Sequence, residues 1–284
     1  MNIKQALAFG LDTLKHNVSS AHHTDNPELD TQVLLCHTLK CNTAKLIAWP
    51  ELELSNIQQK QFEDLITQRQ QGTPVAYLTG HREFWSLDLM VNPATLIPRP
   101  DTELLVETIL ARFNNKHSFK LADLGTGSGA IAIAIASERA NWEITATDVS
   151  NEALAVARHN AKKHQLSNIQ FFQGSWFEPL EDNRFDIIVS NPPYIANHEP
   201  HLKTGDVRFE PDQALASGPT GMDDIEHLCQ HAAQYLNAGG LLLFEHGYEQ
   251  QKDVLNCLQK NKFTDIMQLR DLAGHVRVSL GRIT

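Results

Sequence analysis

Apolar residues at the start of the chain recur at helical spacing. Three stretches, beginning at Ile3, Leu29 and Leu54, place apolar side chains three or four positions apart, so that each stretch would carry them on one face. Pairs that contain proline separate these stretches and mark helix ends. Residues 1–72 are therefore predicted to form a small N-terminal helical bundle, which either docks a substrate or serves as a scaffold.

The pattern changes over residues 73–100, where glycines and prolines become frequent. Within this segment, residues 83–91 partly alternate between apolar and polar positions, which is typical of a strand or a hairpin. We therefore expect a connector that contains a β-hairpin.

Residues 101–284 alternate between strand and helix patterns, which predicts an α/β domain with a parallel sheet covered on both faces. The predicted strands are 119–124, 143–147, 169–172, 185–189 and 241–244, and the predicted helices lie near 130–139, 151–165, 222–236 and 248–260. Two final extended segments, 265–270 and 275–281, follow one another closely. They are expected to pair as an antiparallel hairpin at the sheet edge.

Composition restricts the functions that fit this chain. Its 284 residues are 42% hydrophobic, which is normal for a globular protein of one or two domains. The 4 cysteines form no C-x-x-C pair and the 14 histidines are scattered, so neither a disulfide framework nor a metal site is expected. The N-terminus lacks an apolar signal region and no run is long enough to span a membrane, which predicts a cytoplasmic protein without membrane contact.

The charge balance is acidic. With 34 acidic and 24 basic residues the net charge is −10, and no run is rich in lysine or arginine. A nucleic-acid partner is therefore not expected, because proteins that bind a duplex neutralise its phosphates with a basic face. A protein partner is easier to reconcile with this charge, and a monomer is the default oligomeric state.

A glycine-rich segment closes the first predicted strand of the α/β domain. Residues 125–129, Gly-Thr-Gly-Ser-Gly, lead into an apolar helix. Glycine backbone can approach a ligand closely and a helix start offers free N–H groups, so a nucleotide-like ligand is indicated. Asp148, at the end of the second strand, can accept hydrogen bonds from ribose hydroxyls. Both features suit a nicotinamide cofactor as well as S-adenosylmethionine.

A second loop, after the fourth predicted strand of the α/β domain, helps to distinguish between these two cofactors. Residues 190–194, Ser-Asn-Pro-Pro-Tyr, follow the strand 185–189 at the carboxyl end, where open parallel sheets bind ligands. The two prolines stiffen this loop, so the Asn191 amide and the free carbonyls can hold a planar amino or amide nitrogen, although an ordinary Pro-Pro turn has a similar composition. Because a nicotinamide enzyme would instead bring a general acid, methyl transfer fits better. Trp176, near the third strand's end, either forms a wall for adenine or belongs to the core.

Together, these features resemble the PrmC/HemK family of peptide chain release factor glutamine methyltransferases. The resemblance covers nearly the whole chain and rests on the helical N-terminal region, Phe84, residues 97–103 (Ile-Pro-Arg-Pro-Asp-Thr-Glu), residues 123–129, Trp176 and residues 191–194. It implies a class I S-adenosylmethionine-dependent methyltransferase fold, Rossmann-like with a mainly parallel seven-stranded sheet. It also implies S-adenosylmethionine as cofactor and class 1 release factors as partners, with the glutamine N5 of their Gly-Gly-Gln motif as methyl acceptor.

The resemblance also assigns roles to individual residues. The expected cofactor contacts are Gly125, Thr126, Gly127, Ser128, Gly129, Asp148, Trp176 and Asn191. The expected substrate contacts are Asn191, Pro192, Pro193, Tyr194, Phe84 and Arg99. Ser175 and Ser86 depart from the family pattern, which often has an aspartate for the adenine amino group at the first position and a glycine at the second.

The mechanism implied by these assignments places catalysis on Asn191, Pro192 and Tyr194. The Asn191 side-chain oxygen and the Pro192 carbonyl would each accept one N–H of the substrate amide, which orients a poor nucleophile and stabilises the positive charge that develops on it. The Tyr194 ring would stack on the flat amide. This mechanism requires no metal.

Three other functions stay open at this point. A DNA or ribosomal RNA methyltransferase would present adenine N6 or guanine N2 to the same loop, but the sequence shows neither a basic patch nor an obvious base-flipping domain. A nicotinamide-dependent oxidoreductase and a non-catalytic cofactor-binding regulator would share the glycine loop.

Overall fold

A computed structural model describes residues 1–15 and 26–284, which form two compact units. The first unit contains residues 1–81 and 203–209, and the second contains residues 82–202 and 210–284. No helix in the described part of the chain is long and apolar enough to cross a membrane.

The first unit is helical, as its periodicity predicts. Its described residues form α1 (Ile3–Lys15), α2 (Pro27–Leu39), α3 (Thr43–Ala48), α4 (Asn56–Gln70) and α5 (Val75–Thr79). Their apolar faces meet in one core around Ile3, Leu34, Phe62 and Ile66. The sequence did not indicate α3 and α5 because, at 6 and 5 residues, they are too short to show a period.

Capping residues fix where two of these helices begin. The Asn26 side chain accepts the Leu29 N–H at 3.0 Å, and proline occupies the first position of α2. Ser55 and Gln58 form a capping box at the start of α4.

Residues 203–209 pack within the first unit, although they lie far along the chain. Arg69 of α4 is buried and donates to Asp30 of α2 and to Asp206, at 2.7 Å each. These charge-assisted hydrogen bonds tie the short segment to α2 and α4.

The boundary between the units falls inside the predicted connector. Residues 73–81 belong to the first unit, where Val75 and Leu78 pack against the bundle core. The rest of the connector belongs to the second unit, because Phe84 and Leu89 are buried in its core. The predicted hairpin is formed by β1 (His81–Phe84) and β2 (Leu87–Met90).

A seven-stranded sheet organises the second unit. Its strands are β3 (Lys120–Leu124), β4 (Glu143–Asp148), β5 (Ile169–Gln173), β6 (Phe185–Ser190), β7 (Leu236–Glu245), β8 (Thr264–Arg270) and β9 (Val276–Arg282), in the order β5-β4-β3-β6-β7-β9-β8. Strands β3 to β7 are parallel, whereas β9 pairs antiparallel with β7 and with β8. The predicted parallel sheet with an antiparallel hairpin at its edge is confirmed.

Helices cover both faces of this sheet. They are α6 (Glu103–Arg112), α7 (Ala130–Glu138), α8 (Asn151–Lys163), α9 (Asp223–His231) and α10 (Gln251–Lys260). Successive strand residues point to opposite faces, so Leu121 and Ile187 pack with α6 and α7, while Ala122 and Ile188 pack with α9 and α10.

The largest difference between predicted and observed element boundaries lies between α9 and β7. The sequence predicts a helix to residue 236 and a strand from 241, but α9 ends at His231 and β7 begins at Leu236. The strand starts earlier because Leu236 pairs with Phe185 of β6 before an irregularity in the register.

Candidate active site

Three strands end together at the point where the strand order reverses. Strand β3 lies between β4 and β6, and its last residue, Leu124, is paired with Thr147 on one side and Ser190 on the other. The residues that follow these strands therefore emerge at one carboxyl edge, where open α/β sheets bind ligands. This edge carries the glycine loop (residues 125–129), Asp148 and Asn191.

Positive φ angles shape the glycine loop. Gly125, Gly127 and Gly129 have φ values of 70°, 56° and 84°, which residues with a Cβ rarely adopt. A Cβ on Gly129 would stand 2.8 Å from the Ile133 side chain and 3.1 Å from Ala157 Cβ, so this glycine lets α7 pack against α8. A Cβ on Gly127 would meet no described atom within 4 Å. The backbone at Gly127 therefore faces open space.

A buried carboxylate holds the loop from below. Asp123 Oδ2 accepts hydrogen bonds from Thr126 Oγ1 at 2.6 Å and from the Ala132 N–H at 3.2 Å. Its Oδ1 has no hydrogen-bond partner among the described residues. Burial raises the pKa of Asp123 to about 7, even though both hydrogen bonds lower it.

Asp148 connects two loops at the same edge. Its Oδ2 accepts the Gly127 N–H at 2.8 Å and its Oδ1 accepts the Ser150 N–H at 2.9 Å. Burial raises the pKa of Asp148, whereas these N–H groups and that of Val149 lower it. A carboxylate has about four lone-pair sites, so Asp148 can still accept a hydrogen bond from a ligand.

A cavity of about 530 Å³ opens between these loops, within the range of small-molecule sites. Its lining includes many of the predicted site residues, namely Gly125, Thr126, Gly127, Ser128, Asp148, Trp176, Asn191 and Pro193. Residues 93–96 and Asp224 also line it, although no motif in the sequence indicated them, and so do Pro98 and Thr102 from the motif of residues 97–103. Ser175, which departs from the family pattern, lies in the same wall.

Trp176 is both a cavity wall and a part of the core. Its ring lies 3.5 Å from the point where a Cβ of Gly125 would stand, and it packs against the apolar cluster that faces α9 and α10. Its carbonyl accepts a hydrogen bond from Thr147 Oγ1 at 3.2 Å. The two interpretations of this residue are therefore compatible.

Phe84 and Arg99, for which substrate contacts are predicted, lie outside the cavity lining. Phe84 is buried in the core of the second unit, in the apolar cluster that includes residues of α6 and α7. Arg99 forms an ion pair with the buried Glu210, whose other oxygen accepts the Ile97 N–H at 3.0 Å. Arg99 thus helps to hold the segment before α6, and neither side chain forms a cavity wall.

A chain of hydrogen bonds lies beneath the loop of residues 191–194. Asn191 Nδ2 donates to Thr102 Oγ1 at 3.1 Å, Thr102 Oγ1 donates to Glu245 Oε2 at 2.6 Å, and the Tyr194 hydroxyl donates to Glu245 Oε1 at 3.0 Å. Burial raises the pKa of Glu245, whereas the two hydroxyl groups and the charge of Arg277 lower it. Burial and the Glu245 carboxylate raise the pKa of Tyr194.

This network changes the position expected for the aromatic ring. Tyr194 is mostly enclosed, packs against the core and is not part of the cavity lining, and Pro192 is buried as well. The stacking contact expected of Tyr194 therefore lacks an exposed ring face in the cavity. Thr102 and Glu245 are 143 positions apart, so no local pattern in the sequence indicates that they meet.

Known proteins are similar to this chain along almost its whole length. The release factor glutamine methyltransferase of Salmonella typhimurium is 46% identical over 271 residues, which covers 95% of this chain and 98% of that protein. The one from Vibrio cholerae is 47% identical over 283 residues, covering 99% and 97%.

A solved structure shares the fold. A methyltransferase from Pyrococcus furiosus has a TM-score of 0.52 at 22% identity and covers 69% of this chain and 88% of that chain. At this identity the likeness concerns the fold alone.

The fold and the cavity define a class I methyltransferase that uses S-adenosylmethionine. The residues present fit this cofactor, since the glycine loop offers open backbone, Asp148 offers carboxylate oxygens and Trp176 offers a flat wall. Residues 100–211 match the methyltransferase small domain, and residues 5–80 match the PrmC N-terminal domain. The chain belongs to the release factor glutamine methyltransferase family.

Proposed function

We propose that this protein methylates the side-chain amide nitrogen, N5, of the glutamine in the Gly-Gly-Gln motif of class 1 release factors. The observation that carries this proposal is the orientation of Asn191. Its Nδ2 donates to Thr102, its Oδ1 has no hydrogen-bond partner among the described residues, and the residue lines the same cavity as the glycine loop. The names of the Salmonella typhimurium and Vibrio cholerae relatives support the same acceptor.

S-adenosylmethionine, when bound, supplies a methyl group on a sulfonium that leaves as a neutral thioether. The task of the protein is to present an amide nitrogen whose lone pair is delocalised into its carbonyl. Asn191 Oδ1 and the Pro192 carbonyl each accept one N–H of that amide, which orients the nitrogen and stabilises the positive charge that develops on it. After the methyl group has been transferred, the nitrogen loses one proton and the amide is neutral again. Tyr194 contributes by holding the loop through Glu245.

We assign cofactor binding within this proposal to residues 125–128, Asp148 and Trp176. The backbone N–H groups of the loop and the start of α7 suit the polar end of the cofactor. Asp148 suits the ribose hydroxyls, and Trp176 suits the purine face. Gly129 serves the packing of α7 on α8.

The proposed partner is a protein, and nucleic acid is not part of the proposal. The net charge of −10 supports this choice, because it opposes phosphate binding. We further propose that the protein is a monomer and acts in the cytoplasm, where release factors meet ribosomes. Light scattering coupled to size-exclusion chromatography checks the monomer.

The experiment that tests the function offers several acceptors to the purified chain. Methyl-labelled S-adenosylmethionine is incubated with a class 1 release factor, with the same factor carrying glutamine to alanine in its Gly-Gly-Gln motif, with DNA and with ribosomal RNA. Label should enter only the unaltered release factor, and peptide mass spectrometry should place it on that glutamine. Label in a nucleic acid, or equal label in both release factor proteins, would overturn the proposal.

A further inference from the structure

We infer that Thr102 and Glu245 are positioning residues that set which end of the Asn191 amide faces the acceptor. Glu245 takes the hydroxyl proton of Thr102, so that Thr102 can only accept from Asn191 Nδ2, and Asn191 Oδ1 is turned toward the substrate nitrogen. This inference rests on the proposed function. Its support is a set of buried contacts that the methyl transfer itself does not use.

The Thr102 side chain does not cap the helix that follows it. Thr102 ends a 3-10 turn (Pro100–Thr102) with helical φ and ψ values of −66° and −21°, whereas a capping residue is usually extended. Thr102 is 4% exposed, and its side chain makes no bond to the first turn of α6 among the described residues. Its hydroxyl instead lies between Asn191 Nδ2 and Glu245 Oε2.

The single hydroxyl proton of Thr102 decides which end of the Asn191 amide it can bind. A threonine hydroxyl has one proton to donate, and a carboxylate can only accept. With that proton given to Glu245 at 2.6 Å, Thr102 has only lone pairs to offer Asn191 at 3.1 Å. The opposite amide orientation would set two acceptor oxygens against each other, so it is disfavoured in a buried site.

One carboxylate holds both ends of the loop. Glu245 Oε1 accepts from Tyr194 at 3.0 Å, while Oε2 reaches Asn191 through Thr102. Glu245 is 2% exposed and ends β7, which is paired directly with β6. The loop of residues 191–194 is therefore fixed to the sheet at two points, which holds its reactive groups in a precise geometry.

The test removes the Thr102 hydroxyl, and with it the hydrogen-bond relay from Glu245 through Thr102 to Asn191, while it keeps the size and shape of the side chain. Thr102→Val should lower kcat about 10-fold to 100-fold, while the KM for release factor and the Kd for S-adenosylmethionine stay within about 3-fold. Thr102→Ser, which restores the hydroxyl, should recover most of the lost kcat. Thr108→Val makes the same chemical change at a buried threonine within α6, and its kcat should match wild type.

A double-mutant cycle distinguishes positioning from independent damage. If Thr102 acts through Asn191, Thr102→Val should cost little further activity in an Asn191→Ala background. Fully additive losses, or wild-type kcat in Thr102→Val, would overturn the inference. If Thr102→Val does not fold, Glu245→Gln replaces it, because glutamine can donate to Thr102 and so permits the reversed Asn191 amide. A lowered kcat in that variant supports the relay, and an unchanged kcat overturns it.

A readout without turnover separates this inference from the proposed function. In protein labelled with ¹⁵N-asparagine, the Asn191 side-chain amide protons should exchange slowly with water in the wild type and rapidly in Thr102→Val. If the wild type methylates no release factor, the proposed function fails, and these exchange rates alone decide whether the hydrogen-bond chain exists. Equal exchange rates would remove the positioning role even in an active enzyme.

Discussion

Asn191 and Asp148 each form hydrogen bonds inside the protein, and each has further polar atoms or lone pairs that can bind a ligand. Asn191 donates from Nδ2 to Thr102 and keeps Oδ1 as an acceptor, and Asp148 accepts the Gly127 and Ser150 N–H groups without using all the lone-pair sites of its carboxylate. The internal bonds fix the side chains before any ligand arrives. Their substitution should therefore affect different steps.

Replacing Asn191 should damage methyl transfer more than cofactor binding. Asn191→Ala removes an acceptor aimed at the reacting nitrogen, so kcat should fall by about 100-fold or more, while the Kd for S-adenosylmethionine changes by less than about 3-fold. Single-turnover kinetics and calorimetry measure the two quantities. A variant that transfers methyl at the wild-type rate would remove Asn191 from the catalytic role.

Replacing Asp148 should show the opposite pattern. Asp148→Ala removes the proposed ribose acceptor and frees the Gly127 N–H, so the Kd for S-adenosylmethionine should rise about 10-fold to 100-fold. Asp148→Asn keeps one acceptor oxygen, so its Kd for S-adenosylmethionine should lie between those of the wild type and Asp148→Ala. Titration calorimetry checks this order, and an unchanged Kd in Asp148→Ala would refute the ribose assignment.

The site residues that could be predicted from the sequence are those with an indicative local pattern. The glycine loop, Asp148 and Asn191 each stand next to a strand end, so their place at the sheet edge follows from the strand pattern alone. Thr102 and Glu245 meet only because the sheet brings together distant parts of the chain. Phe84 shows the converse case, since a motif marks it but its position in the core depends on tertiary packing.

Among the elements, the β1–β2 hairpin contains a strained turn. Trp85 and Ser86 connect the strands with φ values of 53° and 58°, which suits the twist of a two-residue hairpin but favours glycine or asparagine. Trp85 is anchored, because its backbone N–H bonds Glu103 and its indole N–H bonds Glu138. Ser86 therefore adopts this conformation at a steric cost.

Glycine at this position should stabilise the protein. Ser86→Gly removes the left-handed strain of a side chain, and we expect a gain of about 0.5 to 1 kcal/mol in the free energy of unfolding. Urea denaturation measures it. Trp85→Gly is the contrasting variant, because it relieves a similar φ but loses both the indole hydrogen bond and its packing, so it should destabilise. Equal effects of the two changes would argue against the strain explanation.

The type and order of elements in the second unit were predictable, whereas some boundaries were not. Helix α7 reads Ala-Ile-Ala-Ile-Ala-Ile-Ala, a period of two that suits a strand, but its position after the glycine loop predicts the helix that is observed. The early start of β7 depends on the pairing of Leu236 with Phe185, which no local pattern reveals.

For the molecule as a whole, the buried Asp123 links stability to pH. Its pKa is raised from 3.8 to about 7 in the folded protein, so the folded state holds this proton more tightly than the unfolded state. Its contribution to stability is therefore complete below pH 3.8 and is lost as pH rises toward 7, by on the order of 4 kcal/mol. Above pH 7 the loss is constant.

An amide at this position should remove that dependence. The difference in unfolding free energy between Asp123→Asn and wild type should shift in favour of the variant as pH rises from 4 to 7. Urea unfolding followed by tryptophan fluorescence suits the measurement, because Trp85, Trp142 and Trp176 all lie in the second unit. The exposed Asp182→Asn is the control, and the same pH slope in both variants would contradict the assignment.

The short segment of residues 203–209 has a consequence for how the gene can be divided. The chain passes between the two units at residues 81–82, 202–203 and 209–210, so no single cut separates them. A fragment that begins at residue 82 would carry residues 203–209 without Arg69 and Asp30, and Asp206 would lose its buried partner. A chimaera that exchanges the first unit must therefore take residues 203–209 from the same parent as residues 1–81.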